Sequence, residues 1–166
     1  MDARIKRLTL GIILAGAFSP AFADGLLKVE QTVFGMDCAP CAYGAQKNLS
    51  KLSGVAKVDV SLNDGKAVIE FGPESATTLG QIRAVLIHGG LTPKEAQVTV
   101  EGRLVKTGGK LQLVVNTGEH YDLVVTQGSD AAALAADAKV IVQGEVAEST
   151  SDATPSLNVL SIKPAG

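Results

Sequence analysis

The stretch VFGMDCAPCAYGAQKNLSKL, residues 33–52, contains both cysteines of the 166-residue chain, Cys38 and Cys41. Residues 27–34, just before and into this stretch, alternate in the way that predicts a β-strand. Residues 41–52 carry apolar side chains at helical spacing. The cysteines therefore lie on a strand-to-helix connection, with Cys38 on the loop and Cys41 in the first helical turn.

The elements that follow complete a recognisable order. Two strands, 55–62 and 66–71, flank the sequence Asn-Asp-Gly at 63–65, and Asp-Gly is a strong hairpin signal because glycine adopts positive φ without steric cost. A second helix is expected at about 78–88 and a short strand at about 94–98. The order β-α-β-β-α-β predicts a ferredoxin-like sandwich, with four antiparallel strands and two helices on one face.

The remainder of the chain predicts a second, mostly-β domain. Five strands are expected, at 99–106, 111–116, 120–126, 139–147 and 157–163. An alanine-rich helix at 130–137 separates the third of these strands from the fourth. Three strands, a helix and two strands is the order of a small five-stranded OB-like β-barrel. The expected fold class is therefore α+β, with a ferredoxin-like domain at 24–98 joined without a linker to a barrel at 99–166.

The first 23 residues have the pattern of an export signal. Three basic residues within the first seven precede the apolar run 8–18, and Ala21-Phe22-Ala23 has the small-x-small form of a signal-peptidase site. The apolar run has eleven residues, whereas a spanning helix needs about 20. We therefore expect residues 1–23 to be a signal peptide cleaved after Ala23. The product would be soluble and periplasmic or secreted, without membrane insertion.

Composition excludes several classes of function. Outside the expected signal, 12 of the 15 basic residues and 16 of the 17 acidic residues remain, which gives a net charge of −4. Residues 99–166 contain one aromatic residue, Tyr121, and five bases against eight acids. A chain without a basic stripe or stacking aromatics is a poor nucleic-acid binder. The sequence shows no paired catalytic carboxylates, nucleophile elbow or phosphate loop, so it gives no support for a hydrolase.

The cysteine pair itself has three interpretations. As a structural disulfide it would close a ring of four residues, which contributes only about 2 kcal/mol. As a metal site it would exploit the helix N-terminus, which stabilises a thiolate, and soft sulfur favours Cu(I), Hg(II), Zn(II) or Cd(II). As a redox couple, the sequence Cys-Ala-Pro-Cys would make the protein a thiol–disulfide oxidoreductase using Cys38 and Cys41. The structural interpretation is the weakest of the three.

The motif Gly-Met-x-Cys-x-x-Cys at residues 35–41, followed by Gly54-Val55, resembles the heavy-metal-associated domain family. It is similar in particular to the periplasmic mercury-binding members of that family, over residues 27–98. The resemblance implies that Cys38 and Cys41 are thiolate ligands of a soft ion, Cu(I), Hg(II) or Zn(II). It also implies a protein that sequesters the ion or delivers it to a membrane transporter or a metal-transporting ATPase, without catalysis.

We make further predictions for four residues that are expected to lie near the cysteines. Asp37 is a possible auxiliary ligand, since Gly-Met-Asp-Cys resembles the motif of zinc-, cadmium- and lead-exporting ATPases; alternatively it is a solvated loop acid or a helix cap. Met36 is expected to pack under the loop. Leu91 occupies the position at which family members commonly carry an aromatic residue. His88 is expected to favour the C-terminus of the second helix, with an auxiliary-ligand role as the less favoured alternative.

Overall fold

The computed structural model describes residues 24–73, 75–125, 137–148 and 154–165. Its elements in chain order are β1 (Gly25–Phe34), α1 (Ala39–Leu49), β2 (Val55–Ser61), β3 (Lys66–Phe71), α2 (Leu79–His88), β4 (Thr92–Thr107), β5 (Lys110–Val114), β6 (His120–Val125), β7 (Lys139–Val146) and β8 (Ser156–Pro164). The expected signal at 1–23 and nearly all of the alanine-rich helix, 130–136, lie outside the described residues. Both stay predictions.

The first six elements form the ferredoxin-like unit. Strands β2, β3, β1 and β4 lie side by side in that order, and every neighbouring pair is antiparallel. The two helices contact each other, α1 also packs on β2, and α2 packs on β4. The α+β class and the β-α-β-β-α-β order are therefore confirmed.

The helices bury one face each. Their buried residues recur at helical spacing and are Ala42, Ala45, Leu49, Leu79, Ile82, Arg83 and Leu86. Helix α1 begins at Ala39 rather than at Cys41, because Pro40 fits a first turn, where its missing N–H has no partner to lose. It ends at Leu49 rather than at Leu52. Among the described residues, neither helix has the length and apolarity needed to cross a bilayer.

Strand β4 joins the two expected domains without a break. It is 16 residues long and runs through the expected boundary between residues 98 and 99. Residues 92–101 pair with β1, and residues 96–103 pair with β7 on the other edge of the strand. One continuous strand thus stands where the sequence predicted two.

The last five strands form a closed ring. From Arg103 onward β4 pairs with β5, and the order continues through β6, β8 and β7 back to β4. Strands β6 and β8 are parallel, and the other neighbours are antiparallel. Gly102 lies where β4 changes partners from β1 to β5. A glycine suits this position because a Cβ there would be 2.8 Å from the carbonyl oxygen of Val114. The mostly-sheet C-terminal part is confirmed, whereas the OB-like barrel stays a prediction.

One buried apolar cluster runs through both units. Val29 and Ile69 in the ferredoxin-like sheet are fully buried, and so are Leu113 and Leu157 in the ring. The edge of β4 that an isolated ferredoxin-like sheet would expose is paired with β7. The ferredoxin-like unit and the ring therefore share a strand and a core.

Candidate metal site

The cysteine loop connects β1 to α1. Strand β1 ends at Phe34, and Gly35 follows with a φ of 85°, a left-handed conformation that suits glycine. Met36 then turns inward into the core cluster and is only 5% exposed. The predicted packing of the Met36 thioether under the loop is therefore confirmed.

The two cysteines lie together at the N-terminus of α1. Cys38 is the N-cap residue, with an extended backbone, and Cys41 is in the first turn. The Cys41 N–H donates to Cys38 Sγ at 3.1 Å and to the Cys38 carbonyl oxygen at 3.0 Å. The two sulfurs form a disulfide, and both residues are half-buried, with their Cα atoms 5.1 Å apart. The predicted placement of one cysteine on the loop and one in the first turn is confirmed.

The arrangement determines the chemistry that the reduced pair can perform. N–H groups and the positive end of the α1 dipole favour a thiolate over a neutral thiol at this position. Two thiolates within one helical turn are suitable ligands for one soft cation. In the bridged form each sulfur is already bonded to the other. Binding of a metal therefore requires prior two-electron reduction of the disulfide.

Asp37 lies beside the pair but does not cap the helix. The side-chain acceptor at the start of α1 is Cys38 Sγ, so the interpretation of Asp37 as the helix cap is wrong. Its side chain is solvent-exposed. In the described part of the chain, no three His, Cys, Asp or Glu side chains are grouped so that they could hold a metal ion. Asp37 stays a proposed auxiliary ligand.

Apolar side chains flank the loop. Leu91, in the position of the family's aromatic residue, is buried and belongs to the same core cluster as Met36. Phe34 and Tyr43 are 70% and 68% exposed. Two large side chains close to the cysteines in sequence, one before the pair and one after it, are therefore exposed.

His88 ends α2 and is exposed. Its ring Nδ1 lies 2.7 Å from the carbonyl oxygen of Ala84, one turn earlier in the same helix. The side chain lines a groove together with Lys51 and Leu52, which follow α1, and with Val85. These contacts are those of a residue that favours a helix C-terminus, as the sequence predicted.

A buried polar cluster, which the sequence analysis missed, lies where α2 meets the ring. Arg83 is 7% exposed. Its Nε–H donates to Gln31 Oε1 at 3.3 Å. Its Nη2 donates to the carbonyl oxygens of Lys94, at 3.1 Å, and Ala147, at 3.0 Å. Burial lowers the pKa of Arg83, and neighbouring anionic groups oppose that effect.

Glu119, on the connection between β5 and β6, belongs to the same cluster. Its carboxylate accepts a hydrogen bond from the Tyr121 hydroxyl at 2.6 Å. It also faces the backbone N–H groups of Leu79 and Gly80, the first two residues of α2, and these lower its pKa. Burial raises the pKa of Glu119, and these donors oppose the rise. Burial and the nearby charge of Glu119 raise the pKa of Tyr121 well above its usual value.

Two sequence signals could have revealed part of this cluster. Arg83 lies within the apolar stripe of α2, and Gln31 takes the inward position of β1 between Val29 and Val33. A polar side chain at an inward position indicates a buried partner, because an unpaired polar group is costly there. No local sequence pattern identifies Glu119 as a member of this cluster, because Glu119 belongs to the ring and Arg83 and Gln31 belong to the ferredoxin-like unit.

A ferredoxin-like α+β unit, with a Cys-x-x-Cys pair between its first strand and first helix, defines a class of small thiol-bearing metal domains. The family model for the heavy-metal-associated domain matches residues 31–90. The chain is 38% identical over 73 residues to the mercuric transport protein periplasmic component of Shigella flexneri, covering 44% of this chain and 79% of that protein. The chain belongs to the heavy-metal-associated domain family.

Other similar proteins include a transporter and a solved structure. The chain is 35% identical over 89 residues to a copper-transporting ATPase of Helicobacter pylori, which is 54% of this chain but 12% of the ATPase. It is 30% identical to oxidized MerP from Ralstonia metallidurans CH34, covering 40% of this chain and 90% of that one, with a TM-score of 0.37. The ATPase similarity concerns a small part of a much longer protein.

Proposed function

We propose that this chain binds one soft heavy-metal ion through the thiolates of Cys38 and Cys41, and sequesters it or delivers it to another protein without catalysing a reaction. The observation that carries the proposal is the position of the two sulfurs, side by side at the N-terminus of α1 and next to the exposed residues Ala39 and Pro40. Soft thiolates select soft cations over Mg²⁺ or Ca²⁺. The disulfide is the oxidised state of the site, and the reduced state is the one that binds.

The candidate ions are Cu(I), Hg(II) and Zn(II) or Cd(II). Relatives of this chain are named for mercury and for copper transport, which supports a soft ion without choosing one. Asp37 would distinguish among the candidates, because a carboxylate is a hard ligand that suits Zn(II) better than Cu(I). A chain that uses only the two sulfurs would favour Cu(I) or Hg(II).

We further propose that the protein works outside the cytoplasm. The basic and apolar leader with its Ala21-Phe22-Ala23 site supports export. The mercury-related proteins that this chain resembles are described as periplasmic components. The similarity to a copper-transporting ATPase supports a metal-transporting membrane protein as the partner. Transfer between two such domains would proceed by exchange of thiolate ligands around the ion.

We infer that the ring of residues 99–166, completed by β4, is an OB-like barrel that serves as a scaffold. Its support is the sequence of three strands, a connection and two strands, with a parallel pairing of β6 and β8 in the closed ring. The one aromatic residue of this region, Tyr121, is fully buried and offers no surface for base stacking. A structural role therefore fits this unit better than nucleic-acid binding.

Native mass spectrometry of phosphine-reduced residues 24–166, with Cu(I), Hg(II) and Zn(II) in competition, tests the metal proposal. We expect one tightly held soft ion on the unmodified chain and none on the Cys38→Ser/Cys41→Ser double variant. Met36→Leu is the matched control, because it changes the buried sulfur beside the loop and should retain the ion. A reduced chain that holds no ion but accelerates disulfide exchange would replace the proposal with the oxidoreductase alternative.

A further inference from the structure

Helix α2 is bound to the ring at its N-terminus and again one turn later. At the N-terminus, the Glu119 carboxylate faces the first two N–H groups of the helix, which lower its pKa. One turn later, Arg83 donates to the carbonyl oxygens of Ala147, at 3.0 Å, and Val146, at 3.5 Å, where β7 ends. The ring therefore contacts α2 through the buried side chain of Arg83 and the half-buried side chain of Glu119.

The local sequence of α2 supplies only half of its cap. Thr78 Oγ1 accepts from the Gln81 N–H at 3.2 Å, and Gln81 Oε1 accepts from the Thr78 N–H at 3.1 Å, which is a complete capping box. A capping box leaves the N–H groups of the first two helical residues, here Leu79 and Gly80, without partners in the helix. The Glu119 carboxylate faces both N–H groups, and they lower its pKa. The ring thus places an anion at this end of the helix.

The other end of α2 leads to the strand residue that pairs with the end of β1, just before the cysteine loop. After two glycines the chain continues to Leu91, whose N–H donates to the carbonyl oxygen of Leu86 at 3.0 Å. The next residue, Thr92, pairs with Phe34, the last strand residue before the loop. Leu91 and Met36 are buried in one cluster. The residues that follow α2 therefore pair with the end of the strand that leads into the cysteine loop.

Arg83 provides a second connection to the loop. It donates to Gln31 Oε1, and Gln31 Nε2 donates to the carbonyl oxygens of Lys94, at 2.9 Å, and Glu95, at 3.2 Å. These carbonyls lie where the register between β1 and β4 shifts. Gln31 belongs to the strand that ends at the cysteine loop. The Arg83 side chain therefore joins the ring to the strand that carries the site.

We propose that the ring positions the cysteine loop through α2, with Glu119 and Arg83 as positioning residues. The proposal rests on the metal-binding function proposed above. A fixed α2 restricts the loop to the conformation in which the two sulfurs converge. The ion is then bound without the full entropic cost of ordering the loop, and it is released more slowly.

Amide hydrogen exchange of the reduced, metal-free chain gives the first test. Glu119→Ala and Arg83→Met are expected to speed exchange in residues 35–42 and 79–91 roughly tenfold. Glu119→Gln retains an oxygen acceptor and should restore slow exchange. Val159→Ala is the matched destabilising control, because it removes buried volume from β8, a strand that does not pair with β4. It should leave both segments slow.

The release of Hg(II) from the same variants to a competing dithiol gives the second test. We expect release about tenfold faster from Glu119→Ala and Arg83→Met, with the unmodified rate in Glu119→Gln and Val159→Ala. If the ion binds but its release rate does not respond, the positioning role is wrong and metal binding stands. If exchange at residues 35–42 responds but the unmodified chain binds no ion, the loop is positioned and the metal proposal is wrong.

Discussion

Helices α1 and α2 begin with different acceptors. At α1 the acceptor is Cys38 Sγ, 3.1 Å from the Cys41 nitrogen. At α2 the acceptor is the Thr78 hydroxyl, and the Glu119 carboxylate faces the first two N–H groups of the helix. Sulfur is a weak acceptor, whereas a carboxylate at a helix N-terminus is a strong and charge-matched one. The positive potential at the start of α1 therefore remains available to stabilise a thiolate. At the start of α2 the same potential stabilises the Glu119 carboxylate of the ring.

The two helix starts also differ in their exposure to solvent. Ala39 and Pro40 beside the cysteines are exposed, whereas Tyr121, the hydrogen-bond partner of Glu119, is fully buried. Ligand exchange with another protein needs an accessible site. A positioning contact gains strength from a low dielectric, provided that each polar group has a partner. The molecule thus places its reactive pair and its fixed cluster at different depths.

The largest effect on the α2 side of this comparison is expected at Arg83. Arg83→Met leaves the carbonyl oxygen of Ala147 and Gln31 Oε1 without a buried donor, so the free energy of unfolding should fall by about 2–4 kcal/mol. Urea unfolding of the reduced chain measures this change. Lys47→Met, which removes an exposed cation from α1, should change it by less than about 0.5 kcal/mol. Equal values for the two variants would contradict a stabilising role of the cluster.

The α1 side could be predicted from the sequence because its signals are local. The spacing of Cys38 and Cys41, the strand before them and the helical spacing after them all lie within 26 consecutive residues, 27–52. The hairpin at Asp64-Gly65 was equally local, and Gly65 has the expected positive φ of 59°. Such patterns depend on neighbours in sequence, so they are readable without the fold.

The α2 side could not be predicted because its contacts are distant in sequence. Arg83 meets Gln31 across 52 positions and Ala147 across 64. The pairing of β4 with β7 likewise joins residues 36 to 50 positions apart, and β4 is one strand where the sequence predicted two. Only the inward placement of Arg83 and Gln31 hinted at a buried cluster, and neither position names a partner.

A smaller effect, on the α1 side, is expected at Asp37. If its carboxylate is a third ligand, Asp37→Ala should weaken Zn(II) binding about tenfold and Cu(I) binding less than about twofold, because only Zn(II) gains from a hard oxygen ligand. Competition with a chelator of known affinity measures both ions. Asp59→Ala, an exposed acid on β2, is the matched control. Equal Zn(II) affinities in the two variants would remove Asp37 from the ligand set.

The smallest effect expected concerns the charge of Glu119. Burial raises its pKa above the value in the unfolded chain. The folded state therefore holds the Glu119 proton more tightly, and this contribution to stability is present below the unfolded pKa and lost as the pH rises through the folded pKa. Relative to Glu119→Gln, the free energy of unfolding of the unmodified chain should fall as the pH rises from the unfolded pKa of a glutamate, about 4.3, through the folded pKa.

Tyr121→Phe sharpens this test of the Glu119 charge. The Tyr121 hydroxyl donates to the carboxylate and so opposes the rise of the Glu119 pKa. Without it that pKa should rise further, and the fall in stability with pH should become larger. Urea unfolding at several pH values measures both differences, since the other carboxylates titrate in every variant and cancel. If the difference in the free energy of unfolding between the unmodified chain and Glu119→Gln stays constant with pH, the N–H groups of α2 fully offset the effect of burial on the Glu119 pKa. The two helix starts would then differ in geometry but not in the free energy needed to ionise the group that each one faces.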